Sequence, residues 1–196
     1  MNQVADKIHA GRGTMKYASG DVYEGELKDG DNRHGRGMYR YATGAVYEGE
    51  FQANQFHGRG AYRSASGEVV YEGEWKNGKY HGRGTYRSGS GEVVYEGGWK
   101  DGKYHGRGTY RFVDGVEDGD VYEGEFKDGN IHGRGKMRYA DGTVVYEGEW
   151  RDGKSGQDSE EPRNTRVGFF FQRLSSSGRS PPSQASAKFV WCCACS

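Results

Sequence analysis

The sequence predicts an all-β protein made of stacked antiparallel β-hairpins, and three features of a repeated motif support this prediction. The motif Tyr-Glu-Gly begins at Tyr23, Tyr47, Tyr71, Tyr95, Tyr122 and Tyr146. Successive copies are 24 residues apart, except for one interval of 27 residues. Each copy alternates in character with the two-residue period of a strand, and a turn dipeptide follows it. A fixed period of this length is typical of a repeat architecture.

One full copy, residues 71–91, shows how each hairpin is built. Aromatic or glycine residues alternate with charged residues along residues 71–76, which predicts the first strand. Asn77-Gly78 follows and is a strong signal for a tight hairpin turn. Residues 84–87 predict a second, shorter strand. Because an isolated hairpin is marginally stable, we expect successive hairpins to stack side by side.

The same turn signals recur along the chain. Hairpin turns are also predicted at Asp29-Gly30, Asp101-Gly102, Asp128-Gly129 and Asp152-Gly153. Turns into the next copy are predicted at Thr43-Gly44, Ser90-Gly91 and Asp141-Gly142. The longer interval predicts a lengthened loop within residues 113–120. We expect the histidine of each HGRG motif to shape a turn of its own.

The two faces of each predicted strand differ in chemistry. Tyr71, Gly73 and Trp75 share one face, whereas Glu72 and Glu74 point to the other. The position of Trp75 is aromatic or aliphatic throughout: Leu27, Phe51, Trp99, Phe126 and Trp150. Glycine between two rings leaves room for the rings to lie over the backbone and to pack edge to face.

Composition limits the classes of protein that the chain can belong to. The 196 residues carry no formal net charge, have a mean hydropathy of −1.03, and include 35 glycines and 15 tyrosines. Order must therefore come from aromatic rings and backbone pairing. No apolar run follows Met1 or approaches the ~20 residues of a membrane span, so neither a signal peptide nor a transmembrane helix is expected. The cysteines lie within the last five residues, where they cannot staple the repeats, which favours a reducing, cytoplasmic compartment.

Residues 71–91 resemble the MORN (membrane occupation and recognition nexus) repeat, and the resemblance extends over residues 9–154. It implies an elongated, single-layer antiparallel sheet of stacked hairpins, with a half repeat, five full repeats and a truncated sixth. Residues 1–8 are then an N-terminal extension. Residues 155–196, which contain all three prolines, form a largely irregular tail that is expected to be partly disordered. A fragment of a larger MORN protein, or a truncated or mis-spliced product, is the alternative.

Neither a metal site nor an active site is expected. Equivalent histidines in successive hairpins lie two strands apart, about 9.5 Å, which is too far for two ligands of one zinc ion. No histidine has a neighbourhood that differs from the others, so no catalytic constellation stands out. The predictions are therefore no cofactor and no enzymatic activity, and the resemblance implies a scaffold.

The aromatic face is the predicted binding surface for a protein partner, because a single-layer sheet supplies nothing to cover it. An extended or helical peptide would lie along it, with the rings as anchors. The alternative is that the rings cover one another and the array is a passive spacer. The predicted contact residues are Tyr23, Tyr47, Phe51, Tyr71, Trp75, Tyr86, Tyr95, Trp99, Tyr110, Tyr122, Phe126, Tyr146 and Trp150.

Three further contacts are predicted as alternatives. Arg83, Arg87, Arg107 and Arg111 belong to arginine ladders that could bind anionic lipids in a peripheral membrane tether, although glutamates share their face. Cys193 fits a C-terminal prenylation pattern. Unpaired strands at the array ends could form a homodimer. Nucleic acid is not an expected partner because basic residues are not in excess, and the expected location is cytoplasmic, with cytoskeletal or membrane association.

Overall fold

The computed structural model describes residues 4–9, 11–113 and 119–156, with side chains from residue 11 onward. These residues form fourteen strands and no helix. The chain divides into an N-terminal unit, Met1–Glu92, and a C-terminal unit, Val93–Ser196. Each unit is an open antiparallel sheet in which every strand pairs with the next strand in the sequence, which confirms the predicted all-β fold of stacked hairpins.

The N-terminal unit contains eight strands. They are β1 (Val4–His9), β2 (Arg12–Lys16), β3 (Val22–Lys28), β4 (Asn32–Arg40), β5 (Val46–Gln52), β6 (Gln55–Arg63), β7 (Val69–Lys76) and β8 (Lys79–Arg87). Consecutive strands are paired throughout. The strand β1 includes residues 4–8, which the sequence had assigned to an N-terminal extension.

The C-terminal unit contains six strands. They are β9 (Val93–Lys100), β10 (Lys103–Arg111), β11 (Val121–Lys127), β12 (Asn130–Arg138), β13 (Val144–Arg151) and β14 (Lys154–Ser155). Consecutive strands are again antiparallel. Residues 114–118 of the predicted longer loop and the tail after Gly156 lie outside the described residues.

The hairpin turns have the left-handed geometry that Asn-Gly and Asp-Gly signals predict. Asn77 and Gly78 have φ angles of 51° and 73°, and the four predicted Asp-Gly turns are alike. Positive φ at both central residues matches the right-handed twist of the flanking strands. The β5–β6 hairpin has no such dipeptide, yet Ala53 and Asn54 adopt φ angles of 48° and 66°. The predicted turns between copies are also present, with positive φ at Gly44, Gly91 and Gly142.

The HGRG motif forms a bulge inside a strand, so the prediction of a separate turn is wrong. In β7–β8, Gly73 pairs with Gly84 while Glu74 pairs with His81, which leaves Gly82 and Arg83 as extra residues. The φ of Gly82 is 57°, and the Glu74 carboxylate accepts a hydrogen bond of 2.9 Å from the Arg83 backbone N–H. A nearby carboxylate therefore satisfies the donor that the bulge removes from the ladder.

We predict that Ala53→Gly stabilises the protein by about 0.5–1 kcal/mol, because a Cβ is disfavoured in the left-handed region. Thermal unfolding followed by circular dichroism would measure the change. Ala65→Gly is the control, since Ala65 lies in a turn without positive φ. That variant should be destabilised by a similar amount through its more flexible unfolded chain. A loss of stability in Ala53→Gly would contradict the strain argument.

Candidate functional site

The tyrosine that opens each Tyr-Glu-Gly motif is a core residue. Tyr23, Tyr47, Tyr71, Tyr95 and Tyr122 are each 0% exposed. The ring of Tyr47 lies over the paired glycines Gly49 and Gly60, where a Cβ on either glycine would approach within 2.6 Å of ring or hydroxyl atoms. Its hydroxyl donates a hydrogen bond of 2.9 Å to the carbonyl oxygen of Glu50. Glycine is required here because the tyrosine ring occupies the side-chain space.

Neighbouring rings interlock with each tyrosine. Tyr47 stacks on Phe56 with ring centroids 3.7 Å apart and meets Trp75 edge-on at 5.1 Å. The Trp75 indole N–H donates a hydrogen bond of 3.0 Å to the carbonyl oxygen of Gly60. In the C-terminal unit, Tyr122 meets Trp150 edge-on at 5.4 Å, and the Trp150 indole bonds to Gly135 at 3.1 Å. The rings therefore cover one another within each unit.

The expectation that the aromatic face is uncovered is wrong for most of its predicted contact residues. The buried ones are Tyr23, Tyr47, Phe51, Tyr71, Trp75, Tyr95, Trp99, Tyr122, Phe126 and Trp150, whereas Tyr86, Tyr110 and Tyr146 are half-buried. The physical reason is that a ring lying flat on glycine backbone hides one side, while adjacent rings hide its edges. Whether these residues bind a partner stays a prediction.

Sequence reasoning missed a second set of core residues, which immediately precede the histidines of HGRG. Phe56, Tyr80, Tyr104 and Ile131 are 1–9% exposed, and they share the face of the tyrosines. The signal for them is the apolar residue at this position in four copies. In β4 the position holds Arg33, whose guanidinium lies over the Tyr39 ring at 4.9 Å and donates a hydrogen bond to the Asn54 carbonyl oxygen. A cation–π contact thus replaces a ring contact.

The opposite face of the N-terminal unit carries an open groove of about 1160 Å³. Its floor is the backbone of a continuous row of cross-strand glycine pairs, from Gly13 in β2 to Gly73 in β7. The residues immediately before and after each glycine form its two sides, because successive residues of a strand point to opposite faces. The same glycines that receive the tyrosine rings on one face therefore leave the backbone bare on the other.

One side of the groove, the arginine rim, consists of Arg12, Arg36, Arg59 and Arg83. These side chains are exposed, and cross-strand glutamates lie between them. Glu26, Glu50 and Glu74 each hold a bulge, since their carboxylates accept the backbone N–H groups of Arg36, Arg59 and Arg83 at 3.1, 3.0 and 2.9 Å. The bulge glutamates thus have a role in the fold.

The other side of the groove, the glutamate rim, consists of Glu24, Glu48 and Glu72. All three side chains are exposed. Their cross-strand neighbours are small or apolar: Thr14, Met38, Ala61 and Thr85. The groove therefore combines a bare backbone floor with one rim that supplies guanidinium groups and another that supplies carboxylates.

The arginines predicted to contact lipid differ in their exposure and in their contacts. Arg83 lies on the arginine rim, whereas Arg87 is half-buried and donates a hydrogen bond of 3.3 Å to the Gly91 carbonyl oxygen. Arg107 and Arg111 of the C-terminal unit are exposed. Lipid binding stays a prediction, and Cys193, the predicted lipidation site, lies outside the described residues.

The described residues contain no group of three or more His, Cys, Asp or Glu side chains that could hold a metal ion. Two histidines instead face the turn of the following hairpin. His105 Nδ1 lies 3.8 Å from an Asp128 carboxylate oxygen, and His132 Nδ1 lies 3.7 Å from that of Asp152. In the part of the chain that the structure describes, no helix is long and apolar enough to cross a membrane.

The fold and the groove define a class of protein, the β-hairpin repeat array, in which each repeat completes the core of its neighbour. The family model of the MORN repeat matches residues 7–22, 23–46, 47–69, 71–93, 95–117, 122–144 and 146–157. The chain therefore belongs to the MORN-repeat family, as the sequence resemblance predicted. MORN repeats are generally non-enzymatic. A search of curated proteins found no significant match.

We predict that Tyr47→Ala destabilises the protein by about 3–5 kcal/mol, because it empties the space over the glycine pair. Tyr47→Phe should lose only about 0.5–1.5 kcal/mol, the value of the hydroxyl's bond to the Glu50 carbonyl. Urea unfolding would measure both. Tyr62→Phe is the control, since the described contacts of this half-buried residue include no hydrogen bond from its hydroxyl. Equal losses in Tyr47→Phe and Tyr62→Phe would contradict this assignment.

We also predict that the protein loses stability in alkali because burial raises the pKa of its core tyrosines. The pKa of Tyr23 is raised to about 12, chiefly by burial; Arg33 opposes this rise, and the nearby Glu26 contributes to it. The neutral phenol is favoured in the folded state. Its contribution is complete below the ordinary value of 10.0 and is lost as pH rises through about 12.

Urea unfolding at increasing pH, with ultraviolet absorbance of tyrosinate, would test this dependence. The slope of stability against pH above 10 should become shallower in Tyr23→Phe. A folded protein in which every tyrosine titrates near its ordinary value would contradict the prediction.

Proposed function

We propose that this protein is a non-enzymatic scaffold and that the groove of its N-terminal unit binds a segment of a partner protein. The observation that carries this proposal is the open glycine floor between two rows of exposed side chains. One row consists of arginines interleaved with the bulge glutamates, and the other consists of glutamates. Its volume of about 1160 Å³ exceeds the usual range for small-molecule pockets, about 300–1,000 Å³. An elongated, uncovered site of this kind suits a polypeptide better than a small ligand.

The dimensions of the groove support a peptide occupant. Its lining residues run from Arg12 in β2 to Arg83 in β8, which is six strand spacings or about 29 Å. The rims are two residues apart along each strand, about 7 Å. An extended peptide of about nine residues fits this length.

The groove is a better candidate surface than the aromatic face on which the sequence analysis placed partner binding. The aromatic residues there already satisfy one another, so a partner would gain little additional burial from the fully buried tyrosines. Met38 and Ala61, by contrast, are half-buried beside the glycine floor and can lose exposed apolar surface on binding.

The groove's charged residues favour binding over catalysis. Arg36, Arg59 and Arg83 occupy equivalent positions in successive bulges, as do Glu24, Glu48 and Glu72 in successive first strands. A catalytic group needs an environment that distinguishes it from its copies. Repetition instead multiplies one modest contact along an extended partner.

We predict that a photoreactive benzoylphenylalanine at Met38 captures a partner in cells, and that adding Ala61→Trp abolishes the capture. Ala61 lies two strands from Met38 in the same groove, on the other side of Glu48, so an indole there would fill the space above the floor. Mass spectrometry of the cross-linked product would identify the bound segment.

The control adds Thr109→Trp, which occupies the equivalent register position in β10 of the C-terminal unit, between Glu96 and Glu123. Capture should persist in this control. Capture that Ala61→Trp leaves unchanged would contradict binding in the groove. Capture only from a photoreactive residue at Tyr62 would transfer the partner site to the aromatic face.

A further inference from the structure

The two rims of the groove have charges that the described part of the N-terminal unit leaves without ion-pair partners. No ion pair joins Glu24, Glu48 or Glu72 to a described basic side chain, although arginines lie two residues further along the same face. Two of those arginines instead contact other groups. The Arg40 guanidinium lies 3.6 Å from the Met38 sulfur, and the Arg87 guanidinium donates a hydrogen bond to the Gly91 carbonyl oxygen. The carboxylates of the glutamate rim are therefore accessible to a ligand.

The C-terminal unit treats the same register positions differently. Glu147 pairs with Lys136 at 2.7 Å, Glu123 pairs with Arg138, and Arg134 pairs with Glu149 at 3.1 Å. Lys136 occupies the position that Met38 and Ala61 hold in the N-terminal unit. Strands β11–β13 of the C-terminal unit thus pair these charges internally, whereas the N-terminal unit presents them on both sides of an open groove.

We infer that the groove is selective for an extended partner segment with a three-residue repeat, in which one residue is basic, one is acidic and one is uncharged. This inference rests on the proposed function and names the chemistry of its partner. Basic side chains of the segment face the glutamate rim, its carboxylates face the arginine rim, and its third position points to solvent.

The three-residue period follows from a match between two distances, the spacing of equivalent rim residues and the rise of one turn of the peptide. Equivalent rim residues recur every second strand, which is about 9.6 Å. A polyproline II helix has three residues per turn and rises about 3.1 Å per residue, so it advances about 9.3 Å before the same side faces the same rim. In a fully extended strand, every second side chain points to the same side. The distance between side chains of one charge on one side is therefore shorter than the spacing of the rim residues.

The arginine rim also determines the composition of the segment. A purely basic peptide would face Arg36, Arg59 and Arg83 across a floor about 7 Å wide and would be repelled by them. The bulge carboxylates Glu50 and Glu74 reduce that repulsion, but they already accept backbone N–H groups. A segment with both signs satisfies the two rims together.

A fluorescently labelled peptide of five Lys-Glu-Pro repeats is the probe, and its fluorescence anisotropy in the presence of the intact chain measures binding. A peptide of identical composition, with its lysines, glutamates and prolines in three blocks, is the peptide control. The repeating peptide should bind about tenfold more tightly than the block peptide, and binding should weaken as salt is added.

Two triple variants test the rims, namely Glu24→Gln/Glu48→Gln/Glu72→Gln and Arg36→Gln/Arg59→Gln/Arg83→Gln. Each should weaken binding by about tenfold. Glu96→Gln/Glu123→Gln/Glu147→Gln is the matched control, with the same change of charge at equivalent positions of the C-terminal unit, and its affinity should stay within about twofold of wild type. Circular dichroism and thermal unfolding establish that every variant is folded.

Several outcomes would overturn the inference: equal binding of both peptides, an equal loss in the control variant, or no binding of either peptide. If photocapture at Met38 still depends on Ala61 in that case, the groove binds a partner of different chemistry and the proposed function stands. If both experiments fail, the proposed function fails with the inference. A loss confined to the glutamate variant would indicate a simple basic ligand and would also overturn the two-rim inference.

Discussion

The contact between a tyrosine ring and a pair of cross-strand glycines is the constraint on which the structure of each unit depends. A single-layer sheet has no second layer against which to bury a core. Here the ring lies on backbone instead, and its hydroxyl bonds to a carbonyl three residues along the same strand, as in Tyr47 and Glu50. The sheet thereby buries its largest side chains against itself, with few aliphatic residues.

This contact also explains why the two faces have different uses. On the aromatic face, the glycine row is filled by rings. A ring two strands away completes the cover, as Phe51 does for Tyr23 and Trp75 does for Tyr47. On the groove face, the same row exposes peptide groups that are already paired in the sheet. Such a floor is flat and chemically neutral, so specificity must come from the charged rims on either side.

Much of the fold could be predicted from the sequence because its signals are local. The alternation in residues 71–76 and the Asn77-Gly78 dipeptide specify a strand and a left-handed turn without reference to any other segment. The burial of Tyr71 was not predictable in the same way, since it depends on Gly84 and on the stacked ring of Tyr80, which both lie on the next strand. The bulge at Gly82 was also missed, because its carboxylate, Glu74, lies on the opposite strand. The Ala53-Asn54 turn shows that flanking strands can impose a conformation that the dipeptide itself disfavours.

The tyrosine ring of each hairpin covers glycines on its own strand and on the adjacent strand only. This limits the ways in which such a sheet can change in length. Inserting or deleting a whole hairpin keeps every ring above a glycine pair and every charge on its proper face. The loss of a single strand would place unlike partners beside each other. Sheet length can therefore vary in steps of two strands, and each step would lengthen the groove by about 9.6 Å. Within a unit, the number of hairpins thus determines the length of the extended ligand that the groove can accommodate.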